Sequence, residues 1–254
     1  MPGFVIIREW KELFAARSVL ITNLAAPFVI LVVALITTVF AQNGKMEFIL
    51  NLMKLTNPLL NMAGDDGHIA IARFYFLLFL IVPAMIPLTF ATTSIIMEKM
   101  TGTLESVLVT PISTKEFLLG KVLAYSLPSI ALTWVVQLIF LGFIFATFDN
   151  ASEYFSIVFI LAMLLLVPFI SIISVSMSVI VSSKVDNVAA AQQFGAILVL
   201  PIIGLAVSQV IFLSMMSNPV IYLGMVTLCA VVALILFQIS IKVFDREHII
   251  SKWK

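Results

Sequence analysis

The chain has 254 residues, 62% of them hydrophobic and only 11% charged, where an ordinary soluble domain carries about 25% charged residues. A formal net charge of +1 leaves no electrostatic footprint for nucleic acid, and a single cysteine, Cys229, excludes an internal disulfide framework and a multi-cysteine metal site. The mean hydropathy of +1.20 exceeds what a water-soluble core of this length can use, so the excess belongs against lipid.

The first element is predicted over Phe4 to Arg17. At about 100° per residue, Ile6, Ile7, Trp10, Leu13 and Phe14 share one arc, with Arg8, Glu9, Lys11 and Glu12 opposite. This pattern predicts an amphipathic helix lying in the membrane interface, with Trp10 at headgroup depth, Lys11 facing water and Arg17 marking the turn into the first span.

Six apolar runs follow, at about Val19 to Ala41, Phe74 to Met97, Val122 to Phe148, Tyr154 to Ser182, Val188 to Met215 and Pro219 to Ile241. Each approaches or exceeds the roughly 20 residues a spanning helix needs. All 29 Lys, Arg, Asp, Glu and His side chains fall outside these runs. The first run is about twice as long as a secretion-signal core and follows acidic Glu9 and Glu12, so it reads as a retained helix. In hydrocarbon the backbone must satisfy itself, and runs of this length without alternation do so as helices.

Eleven Lys and Arg residues lie in the amino-terminal segment, the second and fourth connections and the tail; three lie in the first connection, and the third and fifth have none. This bias places both termini on the cytoplasmic side, which also requires an even number of spans.

In the first external connection, 42–72, the stretch Met46 to Leu55 suits a short interfacial helix. Asp65, Asp66 and His68 read as a solvated turn in preference to a metal site. Prolines at Pro27, Pro83, Pro87, Pro128, Pro168 and Pro201 each remove an intrahelical hydrogen bond and permit a kink. Ser171, Ser174, Ser178 and Ser182 share one face of the fourth helix. Close helix packing is the favoured reading there, with a hydroxyl-lined path as the alternative. Gln137, Gln192, Gln193 and Gln209 are embedded amides able to line a path or to bond helices together. Cys229 reads as a small packed hydrophobe.

No run contains a carboxylate, histidine, lysine or arginine, which weighs against an ion-coupled carrier and against an intramembrane hydrolase. The P-loop pattern fails at Gly120-Lys121, so any nucleotide must be bound by another chain. The most informative segment is the second connection, 98–121. Gly102 can start a short helix with Leu104, Val107 and Leu108 on one side and Glu105 in its first turn. Thr110-Pro111 stops it, and Ser113 with Glu116 makes a capping box that launches the next helix. Read from the residues alone, this is a rigid element between two spans that serves as scaffolding or docks a partner.

The run Glu98 to Lys121, with its Gly-Thr-Leu-Glu, Thr-Pro-Ile-Ser, Lys-Glu and Gly-Lys in order, closely resembles permease subunits of the ABC-2 family of ATP-binding-cassette transporters. Ala189 to Gly195 and Leu200-Pro201 are similar to an exporter-like branch of it. The resemblance implies an all-α, polytopic membrane protein of six transmembrane helices with an amino-terminal interfacial helix, forming a single permease domain over 1–254 in the plasma membrane. It further implies a non-enzymatic export subunit that pairs with a second permease, identical or not, and with two cytoplasmic ATPase subunits, which carry the ATP and magnesium. Gly102, Thr103, Leu104, Glu105, Val107, Leu108 and Pro111 then belong to the coupling helix, and the amino-terminal helix becomes the second cytoplasmic contact. The short fifth connection departs from polysaccharide- and sterol-moving branches and leaves the cargo open. The competing readings are an ion-coupled carrier or channel without an ATPase, and a membrane anchor or assembly protein.

Overall fold

A computed structural model describes residues 2–15, 17–42, 67–102, 113–148, 155–185, 187–197, 200–201, 204 and 219–243. Eight helices are described: α1 (Pro2–Ala15), α2 (Arg17–Gln42), α3 (Gly67–Leu78), α4 (Ile81–Met100), α5 (Thr114–Thr147), α6 (Ile157–Lys184), α7 (Val188–Ala196) and α8 (Pro219–Val243). Four stretches among the described residues are long and apolar enough to cross a membrane: Ile71–Met100, Thr114–Thr147, Ile157–Lys184 and Val220–Val243. A shorter apolar stretch, Ala25–Ala41, lies in α2. The chain is thus an all-α, polytopic membrane protein. Of the fifth run, α7 is described, while Gln209 and most of 198–218 lie outside the described residues.

The helices begin and end where side chains and prolines dictate. The second apolar run is broken at Phe79-Leu80, because Pro83 has no N–H for the carbonyl of Phe79 and its ring crowds that carbonyl. The backbone closes the break with shorter bonds, Leu80 N–H to Leu77 O at 3.0 Å and Val82 N–H to Phe79 O at 3.1 Å. Pro27, Pro87, Pro128 and Pro168 instead stay inside continuous helices. Helix α5 starts eight residues before the apolar run, at the expected capping box: Glu116 N–H donates to Ser113 Oγ at 3.2 Å, and Ser113 N–H to Glu116 Oε2 at 3.4 Å. Asn187 caps α7 through Oδ1, which accepts the Ala189 N–H at 2.9 Å.

Gly102 closes α4, at a positive φ of 68°, with Thr101 N–H on Met97 O and its own N–H on Lys99 O; the helix expected to start there lies outside the described residues. That left-handed conformation suits glycine because it has no Cβ to collide with the backbone.

Helices α4 and α6 form the centre of the bundle, with α5 against both, α8 on α6, α2 on α3 and α5, and α7 against α4 and α6. Exposed apolar side chains such as Val29 and Val32 on α2, Leu138 on α5, and Leu228 and Leu234 on α8 lie on outward faces. The serine face explains how close α4 and α6 come. Ser174 donates to the Ala84 carbonyl, and Ser178 Oγ lies 2.8 Å from Thr92 Oγ1, all of these side chains being buried. At the end of the bundle opposite the α4–α5 connection, the core is aromatic. Phe76, Phe79, Phe140, Phe155, Phe159 and Tyr222 meet edge-to-face or tilted at centroid distances of 5.2–5.6 Å in nearly every adjoining pair. Arg73, expected in the first connection, lies inside α3 and is buried there, its guanidinium 5.9 Å and 5.8 Å from the Phe155 and Phe159 ring centres.

Phe159 touches four of these groups and is almost wholly buried. Phe159→Ala is expected to destabilise the detergent-solubilised protein by about 3–5 kcal/mol, read as a lower thermal unfolding midpoint. Val231→Ala on the outer face of α8 should leave that midpoint close to unchanged.

Candidate functional site

At the end of the bundle that carries the α4–α5 connection, three carriers of charge meet out of water. Glu9 comes from α1, Glu98 from the last turn of α4 and Lys121 from the second turn of α5, and all three are buried. Glu98 and Lys121 each stand one residue outside an apolar run, so the hairpin formed by α4 and α5 brings their opposite charges together. Helix α1 then lies along α5 and supplies the second carboxylate.

The lysine organises the site. Its Nζ donates to Glu9 Oε1 at 2.9 Å and to Ser94 Oγ at 2.8 Å, and makes an ionic contact with Glu98 Oε2 at 3.0 Å. Tyr125 donates its phenol proton to Glu9 Oε2, which also accepts from Ser94 at 3.1 Å. Arg8, half-buried at the rim, sets a guanidinium nitrogen 3.3 Å from Glu98 Oε1. Two carboxylates thus face two cations. Burial pushes the Glu9 carboxyl up, but the Lys121 charge and the hydrogen bonds from Tyr125, Lys121 and Ser94 outweigh it and hold its pKa below the ordinary 4.5. A depressed carboxylate contributes stability that is present above its unfolded-state pKa and is lost as the pH falls through the folded one.

The placement of α1 differs from the amphipathic reading. The helix turns Val5 and Glu9 inward, with Leu13 and Ile6 half-buried, while Ile7 is 58% exposed and Lys11 is exposed as expected. The protein-facing side is therefore centred near Glu9, rotated away from the middle of the apolar arc. Val5 packs with Ile95, Phe117, Leu118 and Val179, and Leu13 against Val122, Tyr125 and Val175. The Phe14 side chain lies outside the described residues. Trp10 is half-buried and its indole N–H donates to the Ala124 carbonyl at 2.8 Å. A second cross-helix tie lies nearby, where Lys99 on α4 donates to Ser182 O at 3.1 Å and so satisfies the carboxyl end of α6.

The other sequence-predicted residues are distributed differently. Gly102 borders the site, and Thr103, Leu104, Glu105, Val107, Leu108 and Pro111 lie outside the described residues. Ser171, Ser174 and Ser178 line the α4–α6 interface, away from the cluster. Gln137 is buried in α5 with no hydrogen-bond partner for its amide among the described residues. Gln192 is half-buried and Gln193 exposed on α7. Glu9, Glu98, Lys121, Tyr125 and Ser94 escaped the residue-level reading. The available signal was a pair of opposite charges standing immediately outside two consecutive apolar runs.

What the cluster does chemically is to fasten α1, α4 and α5 together beside the α4–α5 connection. Among the described residues there is no group of His, Cys, Asp and Glu able to hold a metal ion. A family model for the ABC-2 type transporter matches residues 3–207, which includes α1, the charge cluster and the whole α4–α5 connection. The chain belongs to that family. No curated protein and no solved structure matches it. It is accordingly a membrane permease domain of the ABC-2 superfamily, and the match ends before α8.

Lys121→Ala leaves two buried carboxylates facing each other without their shared cation. Removing one partner of such a buried cluster is expected to cost roughly 3–5 kcal/mol, visible as a large drop in the unfolding midpoint, whereas Lys11→Ala on the exposed side should be neutral. Gly102→Ala would place a Cβ in a left-handed conformation and is expected to cost about 1–2 kcal/mol. Among the described residues no atom lies within 4 Å of that Cβ, so the measured loss in the same melting assay reports backbone conformation.

Proposed function

We propose that this ABC-2 permease domain is one half of an ATP-driven exporter: six spans with both termini in the cytoplasm of the plasma membrane, paired with a second permease and two ATPase subunits. The observation that carries this reading is the framing of the α4–α5 connection. Its entry is set by the left-handed Gly102, its exit by the Ser113–Glu116 capping box, and its base by buried charges. A segment held at both ends in this way can pass a push to the helices on either side. The bias of Lys and Arg toward the amino-terminal segment, the second and fourth connections and the tail, taken together, favours a cytoplasmic position for it.

In this reading Leu104, Val107 and Leu108 give the segment Gly102 to Pro111 an apolar ridge for a cleft on the ATPase, and Glu105 supplies one charge that fixes register. Closure of the two ATPases on ATP moves the paired connections, and the permease pair changes the side on which its path opens. Nucleotide drives that change only by binding the two arrangements unequally. Gln137, Gln192, Gln193 and Gln209 are the proposed path-lining amides; the buried, unpartnered Gln137 amide supports that role for its position. The cargo class remains to be found among lipids, hydrophobic drugs, peptides and ions.

The test is transport and ATP hydrolysis measured together, in liposomes holding permease and ATPase, against a panel of those four classes. Glu105→Ala is expected to leave membrane abundance normal while transport per ATP falls sharply, since loss of one side of a desolvated charge pair commonly costs about 2–5 kcal/mol. Glu153→Ala, on the proposed external side, should be silent. Wild-type transport with unchanged ATP use in Glu105→Ala would rule the residue out of coupling, and a one-to-one complex that still transports would rule out the proposed stoichiometry.

A further inference from the structure

Proline at position 128 lies within the continuous helix α5 and has no N–H, so the carbonyl four residues earlier, on Ala124, loses its intrahelical donor. In an apolar bundle such an orphan must find another partner. It finds the indole of Trp10, whose N–H donates to Ala124 O at 2.8 Å across 114 residues of sequence. The same device recurs one helix further on. Pro168 in α6 frees the carbonyl of Leu164, and Trp134 of α5 donates its indole N–H to it at 3.1 Å. Two of the three tryptophans in the chain are thus spent on carbonyls released by prolines.

The two contacts on α1 reinforce each other. Glu9 and Trp10 are adjacent; Glu9 is held by Lys121 and Tyr125, and Trp10 by Ala124, so the partners span one turn of α5. Glu98, in the same cluster, stands in the last turn of α4. We propose that Trp10 and Pro128 are matched positioning residues: the proline opens a notch in α5 that the tryptophan fills, and together with the Glu9–Lys121 pair this ties α1 to both ends of the α4–α5 connection, so that α1 moves when the connection moves. The proposal rests on the coupling reading given above. It assigns α1 a second task besides interfacial anchoring, as a transmitter of the ATPase stroke, and it assigns Pro128 a role distinct from kinking its helix.

The experiment uses the full-length permease with its ATPases in liposomes. With Cys229→Ala as background, Lys11→Cys on the exposed side of α1 is labelled with an environment-sensitive fluorophore, and the signal is followed on adding ATP and orthovanadate. The parent is expected to show a nucleotide-dependent change. Trp10→Phe, which keeps an aromatic ring but loses the indole N–H and part of the indole's volume, should reduce it severalfold. Pro128→Ala should reduce it similarly, because the new amide N–H takes the Ala124 carbonyl and displaces the indole. The double variant should be no worse than either single one. Additive losses, or a full signal in Trp10→Phe, would overturn the matched pair. A melting midpoint lowered by Trp10→Phe with the nucleotide signal intact would make Trp10 a mere anchor, and that also overturns it. The two levels separate cleanly: a parent whose ATPases bind and hydrolyse ATP with no signal at position 11 overturns transmission to α1, whereas a parent to which the ATPases do not bind overturns the coupling reading itself.

Discussion

A lysine ammonium removed wholly from water sets the terms for one whole end of this bundle. Lys121 is fully buried, and such a charge persists in a low-dielectric site only if its three protons and its charge are met. Glu9, Ser94 and Glu98 meet them. The first comes from α1 and the other two from α4, so the single requirement of neutralising Lys121 fixes how α1 and α4 sit against α5. Arg8 at the rim balances the second carboxylate, and Tyr125 uses the remaining lone-pair capacity of the first. A cluster of this kind adds little net stability over a well-packed apolar alternative, but it tolerates almost no misplacement. Here it specifies register between an interfacial helix and a transmembrane hairpin.

The two ends of the bundle are built on different physics. Around Arg73 and the edge-to-face phenylalanines, cohesion comes from area and ring geometry, with the Arg73 guanidinium lodged among the rings. Around Lys121 it comes from directional charge pairing. Between them, α4 and α6 approach through serines that bond back to carbonyls and hydroxyls of the neighbouring helix. An aromatic end packs by shape, while a charge-paired end responds sharply to displacement. This contrast accords with a connection-side end that receives mechanical input and an opposite end that keeps the bundle together.

Prolines bear on assembly as well as on helix shape. One proline breaks the second apolar run into α3 and α4, while others stay within continuous helices and release carbonyls. Two of those carbonyls are taken by tryptophan indoles from other helices. A lost backbone bond thereby becomes a specific address between segments far apart in sequence, which is one way a membrane protein obtains directional contacts where burial of apolar surface gives no preference between helix and lipid.

Much of this was legible from residues alone. Apolar runs bounded by charge revealed the four long apolar helices among the described residues, since lipid rejects charge and unpaired backbone alike, and the capping box at Ser113 and Glu116 was readable because both partners are three residues apart. The family was legible in the connection 98–121, whose short motifs do not depend on the rest of the fold. What could not be read was any contact between distant segments. On its own, α1 displays an apolar arc and a polar one, and periodicity assigns Glu9 to water; only the proximity of Lys121, 112 positions later, makes the buried side the favourable one for that carboxylate. Gly102 shows the same limit locally, since glycine suits both the start and the close of a helix and the sequence does not say that it closes α4 until α4 has been built up to it. The sequence by itself determined that the chain is an all-α, polytopic membrane protein, through the cost of charge and bare backbone in hydrocarbon. Only the tertiary structure decided which charges are paired, because pairing is settled by distances between helices that periodicity within a single helix does not contain.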